Sequence, residues 1–387
     1  MIPTKYTYRN LQVRSATTVM TVLATALVVW TMVLTFGLTD GLEHALRISG
    51  QPLDLIVLRK GSTDETSSVI DEQTAREIAT LDGIQRDDVG QRLCSVEFAT
   101  ILTKPRRGDG GTTNMIVRGL EDVGRQLRPG FTIVQGRDVR PGLNEAITSE
   151  AMARRFENLA LGEKLEINQV DFEIVGYFEA SGSAAESEVW TTLADLTGAR
   201  RQAGAVTAVT LRAQNEAAKE SLKEQISKDD QFNLKVIEET AYFEEQMTAS
   251  LAVKFIGGVI AIFLTLGAMF AAAITMYAAV ANRSREIGTL RALGFRRSSI
   301  LTSFLFESVL LCLAGGLLGC LATLPFNGVT TGTANWATFS EITFAFRFGP
   351  LVLLRGVMIA LLMGLLGGLF PAIRATRMQI VDALRQQ

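Results

Sequence analysis

The chain has 387 residues, 48% hydrophobic and only 20% charged, a balance too apolar for an average soluble protein of this length. One histidine, His44, and three scattered cysteines exclude metal and acid–base motifs built on paired histidines, and they exclude a disulfide framework. The net charge of −2 says little until it is divided along the chain.

The first 14 residues form a basic pre-helix carrying Lys5, Arg9 and Arg14. Residues 15–39 then hold no charge and are long enough for a hydrocarbon core of about 30 Å. Ala24-Thr25-Ala26 mimics a signal-peptide cleavage site, but it sits in the middle of an apolar run about twice the usual length, so a retained anchor is expected.

Residues 40–254 are polar and read as one mixed α/β domain. Strands are predicted at 53–58, 96–102, 115–117, 131–134, 146–148, 165–167, 172–175, 205–211 and 234–237 from short apolar or alternating runs. The Gly- and Pro-rich stretch 104–111 predicts a charged hairpin tip. Helices are predicted at 71–81, with Ser68 as start signal, and at 216–228. Leu38, Leu42, Ala45 and Leu46 continue the first span outward, and residues 241–251 lead into the second, so the two ends are expected to form a helical stalk. The many acids, Asp64, Glu65, Asp71 and Glu72 among them, read as a solvated face. No nucleophile motif and no metal-ligand spacing occurs here.

Three further spans are predicted at 255–282, 299–324 and 351–373, with Glu307 inside the third and Arg355 near the start of the fourth. The connecting segments are 283–298, a short loop at 325–350 and a tail at 374–387. The pre-helix, the 283–298 segment and the tail are all net basic, and four spans place them on one side. That side is expected to be the cytoplasm, with both termini there, and the remaining acidic domain lies outside. The expected fold is therefore an α-helical membrane protein with four transmembrane helices plus a mixed α/β extracytoplasmic domain between helices 1 and 2.

The 283–298 segment has Ile287, Leu290 and Leu293 at helical spacing among Arg283, Arg285, Glu286 and Arg291, which predicts a short amphipathic surface helix. Gly294 is placed to stop it and Ser298 to cap the next span. Glu307 is a candidate intramembrane structural acid, with Arg296 and Arg297 as its expected partners. Gly315 with Gly319, and Gly364 with Gly368, form two G-x-x-x-G patterns expected to be packing faces, within the subunit or across a dimer.

Arg285-Glu286-Ile287-Gly288, Leu290-Arg291-Ala292-Leu293-Gly294, Glu307, and Gly315-Gly316 with Gly319 together resemble the signature of the MacB/FtsX-like ABC permeases. Tyr8-Arg9-Asn10-Leu11 at the start, and Pro371-Ala372-Ile373-Arg374-Ala375-Thr376-Arg377 with Asp382-Ala383-Leu384-Arg385 at the end, extend the resemblance. The domain adds Gly136-Arg137, Gly162-Glu163 and Val175-Gly176-Tyr177-Phe178. The resemblance implies that the 283–298 segment is a coupling helix docking on a separate ATPase, with Arg285, Glu286, Ile287, Leu290, Arg291 and Leu293 as contact residues. The phosphate cradle G-x-x-x-x-G-K-[ST] is absent from the chain, so no ATP or magnesium site is expected in it; a cytoplasmic ABC ATPase dimer would bind both. A second permease subunit, a periplasmic adaptor or carrier, and membrane lipid are the other expected partners, with no nucleic acid. The implied role is a non-catalytic subunit in a bacterial inner membrane that transmits motion to move a lipid, lipoprotein, peptide or hydrophobic compound. Its rival is an FtsX-like regulator of a cell-wall hydrolase that transports nothing.

Overall fold

The computed structural model describes residues 15–108, 110–228, 233–249, 251–335 and 338–377. The basic pre-helix and the motif at Asp382–Arg385 lie outside the described residues. The chain divides into two units. One holds residues up to Asp40, Ala252–Val329 and residues from Phe346 on; the other holds Gly41–Leu251 and Thr330–Ala345.

The first unit is built on four helices long and apolar enough to cross a membrane. They are the helices Ser15–Ser49, Leu251–Asn282, Arg297–Thr323 and Pro350–Arg377, called here the first to fourth spans. A shorter helix, Ser284–Ala292, connects the second and third. The first helix runs on past Asp40 to Ser49, and a helix Glu239–Ala249 precedes the second span. Val29, Val33, Cys320, Val352 and Ala360 form one apolar cluster, and Met276, Val280, Ile300, Phe304, Ala372 and Ala375 form another.

In the second unit the strands are β1 (Asp54–Arg59), β2 (Ile70–Asp71), β3 (Cys94–Pro105), β4 (Thr112–Leu120), β5 (Phe131–Gly136), β6 (Glu145–Thr148), β7 (Lys164–Ile167) and β8 (Val170–Ala180). They continue with β9 (Glu188–Thr192), β10 (Ala205–Val206), β11 (Ala208–Arg212), β12 (Leu234–Glu238), β13 (Thr330–Ala334) and β14 (Glu341–Ala345). Ten of them make one mixed sheet in the order β12-β1-β11-β3-β4-β9-β6-β8-β5, with β7 beside β8. Pairs β4–β9 and β6–β8 are parallel, and the remaining pairs are antiparallel. β3 and β4 make the expected hairpin, pairing from Phe98 with Gly119 out to Pro105 with Thr112.

Large apolar side chains such as Phe156, Phe172, Leu211 and Leu222 fill the core of this unit. Trp190 and Phe178 stack at 4.3 Å in a second cluster. The helix Glu216–Lys228 has the predicted bounds, because Leu222 and Ile226 at i, i+4 bury one face of an otherwise charged segment. The helix predicted at 71–81 runs Glu72–Ile78 and starts differently. Asp71 is its cap, accepting from the amides of Gln73 and Thr74, whereas the Ser68 hydroxyl accepts from the Arg59 amide.

The loop expected at 325–350 contains a β-hairpin. β13 and β14 pair from Thr330–Ala345 to Ala334–Glu341 and belong to the second unit. The Thr- and Gly-rich β13 offers no apolar run, and β14 is only five residues long.

Candidate functional site

The connecting helix Ser284–Ala292 is a two-faced segment. Ile287 is only 2% exposed and packs with Met276, Val280, Ile300 and Phe304. Arg285, Glu286 and Leu293 face outward, Leu293 at 72% exposure, and Leu290 and Arg291 are half-buried. Ile287, expected among the contact residues, instead seats the helix on the spans. Its spacing from Leu290 put it on the same apolar stripe, but the stripe is wide enough that one edge is buried and the other open.

The helix ends as predicted. Gly294 takes a φ of +90°, its amide donates to the Arg291 carbonyl, and the Phe295 amide donates to the Leu290 carbonyl. That double closure satisfies two terminal carbonyls and needs a residue tolerant of positive φ. The third span then starts at Arg297 with Arg296 in the cap position, so Ser298 lies within the first turn and is no cap.

Two polar links tie this helix to the spans. Arg283, just before it, donates to both carboxylate oxygens of Glu307 at 2.7 and 3.0 Å, and both side chains are buried. Arg291 donates to the Thr376 carbonyl at 3.0 Å, at the end of the fourth span. The expected partners Arg296 and Arg297 are exposed. They lie about ten residues, or roughly 15 Å, below Glu307 on its own helix, too far for their stems. A buried fork-to-fork pair of this kind holds its two segments in one register, since breaking either half strands a charge.

The glycine seams lie inside the chain. A Cβ on Gly315 would come 2.7 Å from the Val22 carbonyl oxygen, and one on Gly319 would come 2.6 Å from that of Ala26, so both face the first span. A Cβ on Gly364 would meet Val309 at 2.8 Å and one on Gly368 would meet Ser308 at 2.6 Å, so both face the third span. Ser308 also donates to the Gly364 carbonyl at 2.8 Å. Backbones this close leave no room for a larger side chain.

In the second unit the acids read as a solvated face divide. Asp71 is exposed and Glu72 is half-buried. Glu65 is buried against Arg118, which also binds Glu97 at 2.8 Å and Glu188 at 2.7 Å. Asp64 is buried too, accepting from the amides of Thr66 and Ser67. Arg128 adds a second guanidinium on Glu97 at 2.8 Å. Burial pushes Glu65 above the usual carboxylate range. It pushes Glu188 the same way, but Arg118 outweighs it and holds that carboxyl low. Sequence position gives no signal for this network, whose members come from β3, β4, β9 and two loops.

Next to it is a cavity of about 60 Å³ lined by Arg118, Arg128, Glu239, Tyr242, Ser340 and Glu341, among others. Its volume suits a few ordered waters. Glu239 accepts from the Gln51 amide at 3.0 Å, and burial raises its carboxyl to about 8. Glu341, from β14, is buried between Arg106 and Arg155, the former at 2.7 Å. Ser187 and Thr343 exchange two hydrogen bonds at 3.0 and 2.7 Å. Arg106 and Arg107 of the charged hairpin tip are both engaged, with Glu341 and Glu163. Among the described residues no cluster of three or more His, Cys, Asp or Glu side chains is arranged to hold a metal.

Comparison with known families places two profiles on the chain. Residues 18–229 match a MacB-like periplasmic core domain, and residues 258–380 match an FtsX-like permease C-terminal segment. The macrolide export ATP-binding/permease protein MacB of Bdellovibrio bacteriovorus is 26% identical over 413 residues, covering 97% of this chain and 60% of that protein. The ABC transporter permease YknZ of Bacillus subtilis is 27% identical over 294 residues, covering 71% of each. The chain thus spans about three fifths of the first of these relatives. The crystal structure of the periplasmic region of MacB from Actinobacillus actinomycetemcomitans superposes with a TM-score of 0.38 at 13% identity, covering 52% of this chain and 94% of that one.

Proposed function

Since the chain belongs to the family of ABC transporter permeases that join a MacB-like periplasmic core domain to an FtsX-like C-terminal segment, we propose that it is the membrane subunit through which a separate ATPase drives movement outside the cytoplasm. The observation that carries this reading is the connecting helix Ser284–Ala292, seated by Ile287 while Arg285, Glu286 and Leu293 are turned outward. An apolar contact with a charged rim makes a compact protein interface.

In this reading the ATPase grips the outer face of that helix. The Arg283–Glu307 pair passes the displacement to the third span, and the Arg291–Thr376 bond passes it to the fourth. The first span continues as one helix to Ser49 and the second is preceded by the helix Glu239–Ala249, so movement of the spans is handed to the α/β unit along stiff rods. ATP and magnesium belong to the ATPase dimer, and two permease subunits work together. The α/β unit lies between spans one and two on the outer side of a bacterial inner membrane, with both chain ends in the cytoplasm. It acts on a lipid, lipoprotein, peptide or hydrophobic compound already in the outer leaflet or periplasm, with an adaptor or carrier protein as a further partner.

The test is a pull-down of the native complex in detergent, comparing wild type with the double variant Glu286→Arg, Leu290→Asp. An ATPase recovered with wild type and lost with the variant supports the reading. An ATPase absent from both, or retained by both, removes this helix as the docking site.

A further inference from the structure

Arg355 stands on the open face of the fourth span. Its neighbours on that face, Leu351, Leu354, Met358, Leu362 and Phe370, are all large, apolar and between 49% and 64% exposed. The opposite face, with Gly356, Ala360, Gly364 and Gly368, is buried against the other spans. Arg355 is thus the one charge in an outward apolar stripe. A guanidinium within a span is unfavourable unless something offsets it.

Among the described residues of the span unit nothing does so. Its described acids are Asp40, Glu286 and Glu307, and none forms an ion pair with Arg355. Glu307 is engaged by Arg283. Arg355 also runs against the charge pattern, since the span end it occupies is opposite the three basic segments.

We propose that Arg355 and the stripe from Leu351 to Leu362 form a binding site for an anionic phospholipid, with the phosphate on the guanidinium and an acyl chain along the stripe. Arg355 is five residues from the start of the helix at Pro350, about 7.5 Å along its axis. That is within reach of an arginine stem that lies along apolar surface with its head at the lipid headgroups. The whole stripe from Leu351 to Leu362 runs for about half the hydrocarbon thickness, the depth of one leaflet. The positive charge of the guanidinium attracts an anionic headgroup at the membrane surface. A second copy of the chain fits this face poorly. An isologous contact would bring Arg355 toward its own copy, and the fourth span has no acid to receive it. The site goes beyond the transport reading and does not depend on an ATPase.

The experiment uses the full chain in detergent, equilibrated with equal amounts of phosphatidylglycerol and phosphatidylcholine, with bound lipid counted by native mass spectrometry. Wild type is expected to retain phosphatidylglycerol preferentially. Arg355→Gln is expected to retain about fivefold less, the loss of one basic residue at an anionic membrane surface. Arg355→Lys should stay within about twofold of wild type, because it keeps the charge. Arg377→Gln, at the other end of the same helix, should match wild type. Equal retention by wild type and Arg355→Gln overturns the site. So do absence of any lipid preference in wild type, equal loss in the Lys and Gln variants, and disulfide-linked pairs of an Arg355→Cys variant formed in membranes.

Discussion

The two units of this chain fill their interiors in opposite ways. In the α/β unit the largest side chains point inward, with Trp190, Phe156, Phe172 and Phe178 fully buried. In the span unit many large side chains point outward. Leu317, Leu321, Leu362 and Phe370 are exposed, while Gly315, Gly319, Gly364 and Gly368 make the inner contacts. The solvent explains the inversion. Water drives large apolar surface into a core, whereas lipid is as apolar as leucine and rewards only close packing. Buried charge follows the same division. Among the described residues the span unit buries the pair Arg283 with Glu307, and the α/β unit buries Arg118 among three carboxylates.

The largest effect that would break this comparison is at Arg118. Replacing it with Met strands Glu65, Glu97 and Glu188 without their shared cation. A loss of about 3–5 kcal/mol is expected, enough to leave the α/β unit open to proteolysis. A variant with wild-type resistance to limited proteolysis would show that the network contributes little to stability.

A somewhat smaller effect depends on pH. The Glu239 carboxyl is raised by burial to about 8 in the folded state, from an ordinary value of 4.5. Between those values the folded chain keeps a proton that the unfolded chain has released, so stability falls as pH rises through the window and levels off above about 8. Thermal midpoints of Glu239→Gln should show a shallower decline from pH 5 to pH 8.5 than those of wild type. Parallel declines would mean that other groups govern the pH response.

The smallest effect belongs to the glycine seam. Gly319→Leu must separate the third span from the first and should cost about 1–3 kcal/mol, read as a lower thermal midpoint in detergent. Leu318→Ala, next to it on the outer face, should stay within about 0.5 kcal/mol of wild type. Equal effects at both positions would sharpen the question of what covers the outer face.

Features written locally in the chain were legible in its sequence. The charge-free runs, the period of the helix Glu216–Lys228, the β3–β4 hairpin and the Gly294 stop each depend on neighbours within one or two turns. Pairings across the chain were not. Arg283 finds Glu307 across a helix junction, while Arg296 and Arg297 looked nearer in sequence. Glu65 read as a surface acid because its partner Arg118 is on another element. β9 escaped detection because Glu188, Val189, Trp190, Thr191 and Thr192 are all buried and show no alternation. In the candidate site the amphipathic helix was legible, but which edge of its apolar stripe would be buried was set by Met276, Ile300 and Phe304 on neighbouring helices.

The placement of β13 and β14 has a consequence for how the protein is made. A ribosome finishes the segment from Gly41 to Leu251 well before it reaches Glu341, with the second and third spans still to be translated in between. During that interval Arg106 and Arg155 wait without their carboxylate, and the Ser187 hydroxyl waits for Thr343. Completion of the α/β unit is therefore a late event in biosynthesis, reached only after two more spans have been synthesised.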